Sequence, residues 1–133
     1  MDGIQLTITP IFAGILAMMY VGLAFLVING RRSKRISLGT GDDDDMVRRV
    51  RAHGNFGEYV PFCLLVMLMQ EIGGTSALLL YVWGVILVLG RIGHAWTIVK
   101  TGGTGIFRIF GMVSVFAVLV GGGLRLILMG FGV

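Results

Sequence analysis

The string RAHGNFGEYVPF, residues 51–62, sets an arginine, a histidine, an asparagine and a glutamate before the apolar run CLLVMLM. On a helix at about 100° per residue, with Arg48 as zero, Arg51 falls near about −60°, Asn55 near about −20° and Glu58 near about −80°. One face thus carries two arginines, an amide and a carboxylate, while His53 points away. Guanidinium groups match carboxylates bidentately, so such a face suits a small polar anion. The same residues also fit a packing pair of Arg51 with Glu58 that locks a bundle. Ionisable groups at membrane depth are functional by default, which favours the first reading.

A second group lies further along the chain. Arg91 and His94 are three residues apart and share a face. Arg91 needs a partner, and Glu58 is the acid available at its level, so a Glu58–Arg91 pair is expected. His94 fits a buried histidine satisfied by a neighbour as well as it fits a ligand contact. With no second histidine or cysteine beside it, no metal site is expected. Arg108 follows the glycine-rich KTGGTG. Alone it would read as a headgroup anchor, the reading that suits Arg125 at the opposite face. Convergence changes this for Arg108: Arg51, Asn55, Arg91, His94 and Arg108 all collect near the same ends of their helices. Gly54, Gly57 and Gly121 to Gly123 read as places of close helix approach, and Cys63 as a small apolar filler. The sequence contains no nucleotide loop or serine–histidine dyad.

The elements that must position these residues follow from composition. The 133 residues are 56% hydrophobic and 14% charged, against about half and a quarter for a soluble domain. A single domain spanning residues 1–133 in lipid is the expectation. The net charge of +4 does not point to nucleic acid, because the basic residues flank apolar segments. Helices are expected over Ile11–Ile28 after Pro10, Ser76–Val99 and Ile106–Met129. The second apolar segment, Tyr59–Met69, is too short to span, so its helix must extend back towards Met46, with TGDDDD at its start. The architecture expected is all-α: a four-transmembrane-helix antiparallel bundle. Seven Lys and Arg lie in or beside the first connector and two around the third, out of eleven. That asymmetry puts both basic connectors in the cytoplasm and both termini outside.

RAHGNFGEYVP together with GRIGHAW resembles the membrane-associated proteins in eicosanoid and glutathione metabolism, the MAPEG family. The likeness covers nearly the whole chain, and NGRRSKRISLGTGD is similar to the first connector of the bacterial branch. The resemblance implies a homotrimer in the bacterial inner membrane, with glutathione held between neighbouring subunits near the cytoplasmic side. By the same resemblance Arg51, Asn55, Glu58 and Tyr59 match glutathione-binding positions of the second helix, and Arg91 and His94 those of the third. Arg108 matches the arginine that holds the thiolate, and Arg31 or Arg32 a first-helix arginine that acts across the site. Ile98 stands where several relatives have a glutathione-binding tyrosine, and Gly54 where one branch has a basic residue. The implied activity is glutathione-dependent transfer or peroxidase chemistry on lipophilic small-molecule electrophiles. The alternatives are a membrane protein of this scaffold that binds lipids or small molecules without catalysis, and a purely structural bundle.

Overall fold

Pro10 sits in the first turn of α1, where a missing N–H costs nothing, and the helix runs from Thr9 to Lys34 in the computed structural model, which describes residues 5–102 and 105–133. It ends at Arg35, whose left-handed backbone (φ 56°) turns the chain back so that Ile36 N–H reaches Arg31 O at 3.0 Å. α2 spans Asp44–Ile72. Its start follows from the aspartate run: Asp43 caps it by accepting from Met46 N–H at 2.7 Å, and Asp44 and Asp45 sit at the positive end of the helix dipole. α3 spans Ala77–Thr101 and α4 Ile106–Phe116. A π turn over Ala117–Gly121 then leads into α5, Gly122–Gly130, so that the last apolar segment is one interrupted helix. The centre of the KTGGTG connector, residues 103 and 104, lies outside the described residues.

Cross-links between elements give the topology. The start of α1 meets the end of α2, and Asn55 and Gln70 of α2 meet Arg91 and Trp83 of α3 in reverse order. Gly90 of α3 meets Ser114 while Gly93 meets Phe107, so α3 and the last segment also run in opposite senses. The described helices therefore form an up-down-up-down bundle. Three of them, Thr9–Lys34, Ala77–Thr101 and Ile106–Gly130, are long and apolar enough to cross a membrane. Large apolar side chains such as Phe25, Phe62, Leu78 and Ile109 face outwards, as a lipid solvent permits.

Lipid tails give little hydrophobic drive for helices to associate, so close backbone approach has to contribute. The tightest approach is between α3 and α4. A Cβ on Gly111 would stand 2.5 Å from His94 Cβ and 2.6 Å from Gly90 O, and one on Gly90 would fall on the Ser114 hydroxyl. Among the glycines singled out in the sequence, Gly57 abuts Tyr20, Gly121 abuts Trp83 and Gly122 abuts Gln70, whereas Gly123 has nothing within 4 Å. Cys63 is fully buried in the core with Leu16, Met67, Leu87 and Val115.

One contact ties the outer ends together. The Glu71 carboxylate accepts from the backbone N–H groups of Thr7, Ile8 and Thr9 at 2.7, 2.8 and 2.7 Å, so another helix satisfies the first N–H of α1 and the two before it. Glu71 lies past the apolar stretch of α2. Burial pushes its carboxyl up, but the three N–H donors outweigh this and hold it down at about 2. A carboxyl depressed from its usual 4.5 stabilises the fold above that value, and the gain is lost as pH falls towards about 2. Glu71→Gln is therefore expected to lower stability by about 1–2 kcal/mol at neutral pH. In melts of the solubilised protein, the difference from the parent should shrink as the pH is lowered.

Candidate functional site

The expected face of α2 opens onto a cavity of about 300 Å³ at the end of the bundle where the basic connectors lie. Arg48, Arg51 and Asn55 line it from α2, His94 and Ile98 from α3, and Arg108 and Met112 from α4. Arg48 approaches Asp45 Oδ1 at 3.8 Å on the cavity's outer side. Arg51 is exposed and makes no ion pair within 4 Å among the described residues. Three guanidinium groups thus converge on a space with no carboxylate in its lining. In a partly dry site such an arrangement favours an anion strongly.

Arg91 stands behind this cavity, not in its lining. It is 1% exposed, donating from Nη1 to Asn55 Oδ1 at 2.8 Å and from Nη2 to Gly111 O at 2.7 Å. The Glu58–Arg91 pair expected from the sequence does not form: Glu58 is exposed, and the guanidinium donates instead to an amide and a carbonyl, its buried Nε having no acceptor among the described residues. A guanidinium is a five-donor fork, and well-placed neutral oxygens can take its Nη donors where no acid reaches it. Arg91 is thereby a positioning residue that fixes which way Asn55 points. Met112 adds a soft sulfur within 4.0 Å of Asn55 Nδ2 and 3.9 Å of Arg91 Nη2. In an Asn55→Ala/Arg91→Met double-mutant cycle the two changes should be coupled by about 1.5–3 kcal/mol. Glu58→Gln should add independently to Arg91→Met; coupling there and none with Asn55 would reverse the assignment.

The other sequence candidates fall elsewhere in the single chain. Tyr59 is half-buried with its ring edge-on to Phe116 at 6.3 Å. Arg31 and Arg32 line a separate open pocket with Arg35. His53 stacks on Tyr20 at 4.5 Å, which agrees with its placement away from the arginine face. Arg125 donates to Thr75 Oγ1 at 3.0 Å at the opposite end. Sequence reasoning placed Arg48 on the α2 face without naming it a site residue, and it did not single out Met112. The signal for Arg48 is its place on the Arg51–Asn55 face, whereas Met112 has none beyond apolarity.

An all-α bundle with three helices fit to cross a bilayer defines an integral membrane protein, here with an arginine-lined cavity at one end of the bundle. Residues 9–128 match the MAPEG family, and the chain belongs to it. It is similar to the inner membrane protein YecN of Escherichia coli K12 and to the protein of the same name in strain O6:H1. Each is 28% identical over 87 residues, which is 65% of this chain and 66% of the relative. The match thus spans just under two thirds of these relatives' length. No solved structure matches.

Proposed function

We propose that this protein is a glutathione-dependent transferase or peroxidase for lipophilic electrophiles. The observation that carries this reading is the cavity lined by Arg48, Arg51 and Arg108, with Asn55 held by Arg91. Glutathione offers two carboxylates, one thiol and one ammonium. Arg48 and Arg51 hold the carboxylates, and Asn55 supplies a neutral amide beside them. Arg108, at the first turn of α4, faces the thiol and favours its charged form. A thiol of pKa about 8.5 is about 3% ionised at pH 7; lowering it by two units, about 2.7 kcal/mol, ionises about three quarters. Arg108 then holds the thiolate as it attacks carbon. A C–S bond forms, and the displaced electron pair leaves with the departing group or takes a proton from water.

The assembly read with this function has four spans, α2 being the fourth, and is a homotrimer in the inner membrane with both termini outside. Two exposed ionisable residues on α2, Arg51 and Glu58, support the trimer, since lipid would penalise both unless a neighbouring copy covered them. A neighbour would also bring an acid to the glutathione ammonium. The charge asymmetry of the connectors supports the orientation, and the name of the E. coli relatives supports the membrane.

Calorimetric titration of the solubilised protein with glutathione tests the reading. A heat of binding in the millimolar range or tighter supports it, and its absence overturns it. Ile98 gives the cavity an apolar wall on α3 and favours the second reading, a binding protein without catalysis. That reading holds if glutathione or a lipophilic ligand binds and no electrophile turns over.

A further inference from the structure

The last turn of α1 carries a basic site that the cavity does not use. Ile28, Arg31, Arg32 and Arg35 fall at i, i+3, i+4 and i+7, so they form one stripe. The left-handed turn at Arg35 folds Ile36 and Ser37 back against this stripe, leaving an open pocket of about 420 Å³. Two acids of the connector, Asp43 and Asp45, are engaged elsewhere. Asp43 binds Lys34 at 2.7 Å, while Asp45 binds Arg49 at 2.9 Å and approaches Lys34 and Arg48. Asp42 and Asp44 make no ion pair within 4 Å among the described residues, and neither do Arg31, Arg32 and Arg35. Arg31 Nη1 is shielded from solvent with no hydrogen-bond acceptor among the described residues. A buried guanidinium N–H left unpaired is costly, and an anionic oxygen is the group that relieves it.

The stripe continues downwards as an apolar one. Val21, Phe25 and Ile28 lie at i, i+4 and i+7 and are exposed, leading from the pocket into the membrane-spanning part of α1. An anionic group above an apolar track is the shape of a lipid, not of a free ion. We propose that this turn binds the phosphate-bearing headgroup of an anionic glycerophospholipid. Its phosphate sits among Arg31, Arg32 and Arg35, and one acyl chain runs along Ile28, Phe25 and Val21. Juxtamembrane arginines gain about 1 kcal/mol each from anionic lipid. The proposal rests on α1 crossing the bilayer and not on thiol chemistry, so it stands or falls without glutathione.

The test titrates the solubilised full chain, without glutathione, with phosphatidylglycerol and with phosphatidylcholine of the same acyl chains. Native mass spectrometry counts bound lipid, and a melt reads the stabilisation. Phosphatidylglycerol should be preferred, and Arg32→Gln and Arg35→Gln should each reduce that preference about fivefold. Lys100→Gln removes the same charge from the other basic connector and should retain the preference. Equal loss with Lys100→Gln would reduce the effect to diffuse charge and overturn the site. Stabilisation by inorganic phosphate equal to that by the lipid would overturn the lipid as occupant. If a variant does not fold, the parent alone decides: the preference must fall steeply with added salt, and indifference to salt overturns it.

Discussion

Arg108→Ser is expected to keep glutathione binding within about tenfold of the parent while losing both the ultraviolet absorbance of the bound thiolate and transferase turnover. The cavity distributes its cations unequally along the substrate. Arg48 and Arg51 project from one face of the same helix and suffice for carboxylates. Arg108 reaches the space from α4, across the cavity from that pair, with Met112 one turn further on. A cation placed there acts on the charge that appears when the thiol ionises, and a loss confined to that charge lowers turnover without an equal loss of affinity. Arg51→Ala should show the opposite order, weakening binding first. Full turnover of a model electrophile by Arg108→Ser would make Arg108 a headgroup anchor. The thiolate role would then pass to Arg31 or Arg32 of a neighbouring subunit.

The second large effect is expected from a methyl group. Gly111→Ala places a Cβ 2.5 Å from His94 Cβ, 2.6 Å from the Gly90 carbonyl oxygen and 3.2 Å from Arg91 Nη2. Two of these neighbours cannot swing aside, because one is backbone and the other is anchored directly to it. The helices must separate, and overpacking of this kind costs about 1–3 kcal/mol. The same shift moves the Gly111 carbonyl that holds Arg91, and through Arg91 it moves Asn55. A displacement on the order of 1 Å at a reacting site can lower turnover about hundredfold. Gly111→Ala should therefore lower both the melting temperature and turnover. Gly22→Ala is the control: nothing lies within 4 Å of that position, and alanine favours a helix interior by about 1 kcal/mol. A Gly111→Ala protein that melts with the parent would mean that α3 and α4 do not approach as closely as described.

Much of this arrangement is legible in the sequence, and the reasons differ from place to place. The start of α2 is legible because two independent demands agree: an eleven-residue apolar run is too short to span, and an aspartate run marks a helix start. The arginine face of α2 is legible because helical angle is arithmetic, and Arg48, Arg51 and Asn55 do line one cavity. Glu58 shares that face by angle yet is exposed, because it falls at the edge of the face, past Arg51, which is exposed as well. The partner of Arg91 is not legible, because a search for acids overlooks the amide and the carbonyl that bind it. The role of Glu71 is hidden for a related reason: the donors that its carboxylate binds are backbone N–H groups, which carry no residue type. Homotrimer formation, glutathione and the lipophilic substrate come from the resemblance and stand as proposals.

The π turn at Ala117–Gly121 has a consequence for how this chain can vary. A π turn holds one residue more than an α turn, and each residue rotates the downstream helix by about 100°. Ahead of it, Gly111 and Ser114 key the helix to α3 beside the arginine cavity; after it, Gly122 keys it to Val66 and Gln70 of α2. The wide turn absorbs that extra residue, so a one-residue deletion within it would restore plain α-helix with the distal keys still facing α2 and the cavity still in phase. The turn thus works as a slip joint. The last helix can lose one residue there without disturbing its contacts on either side.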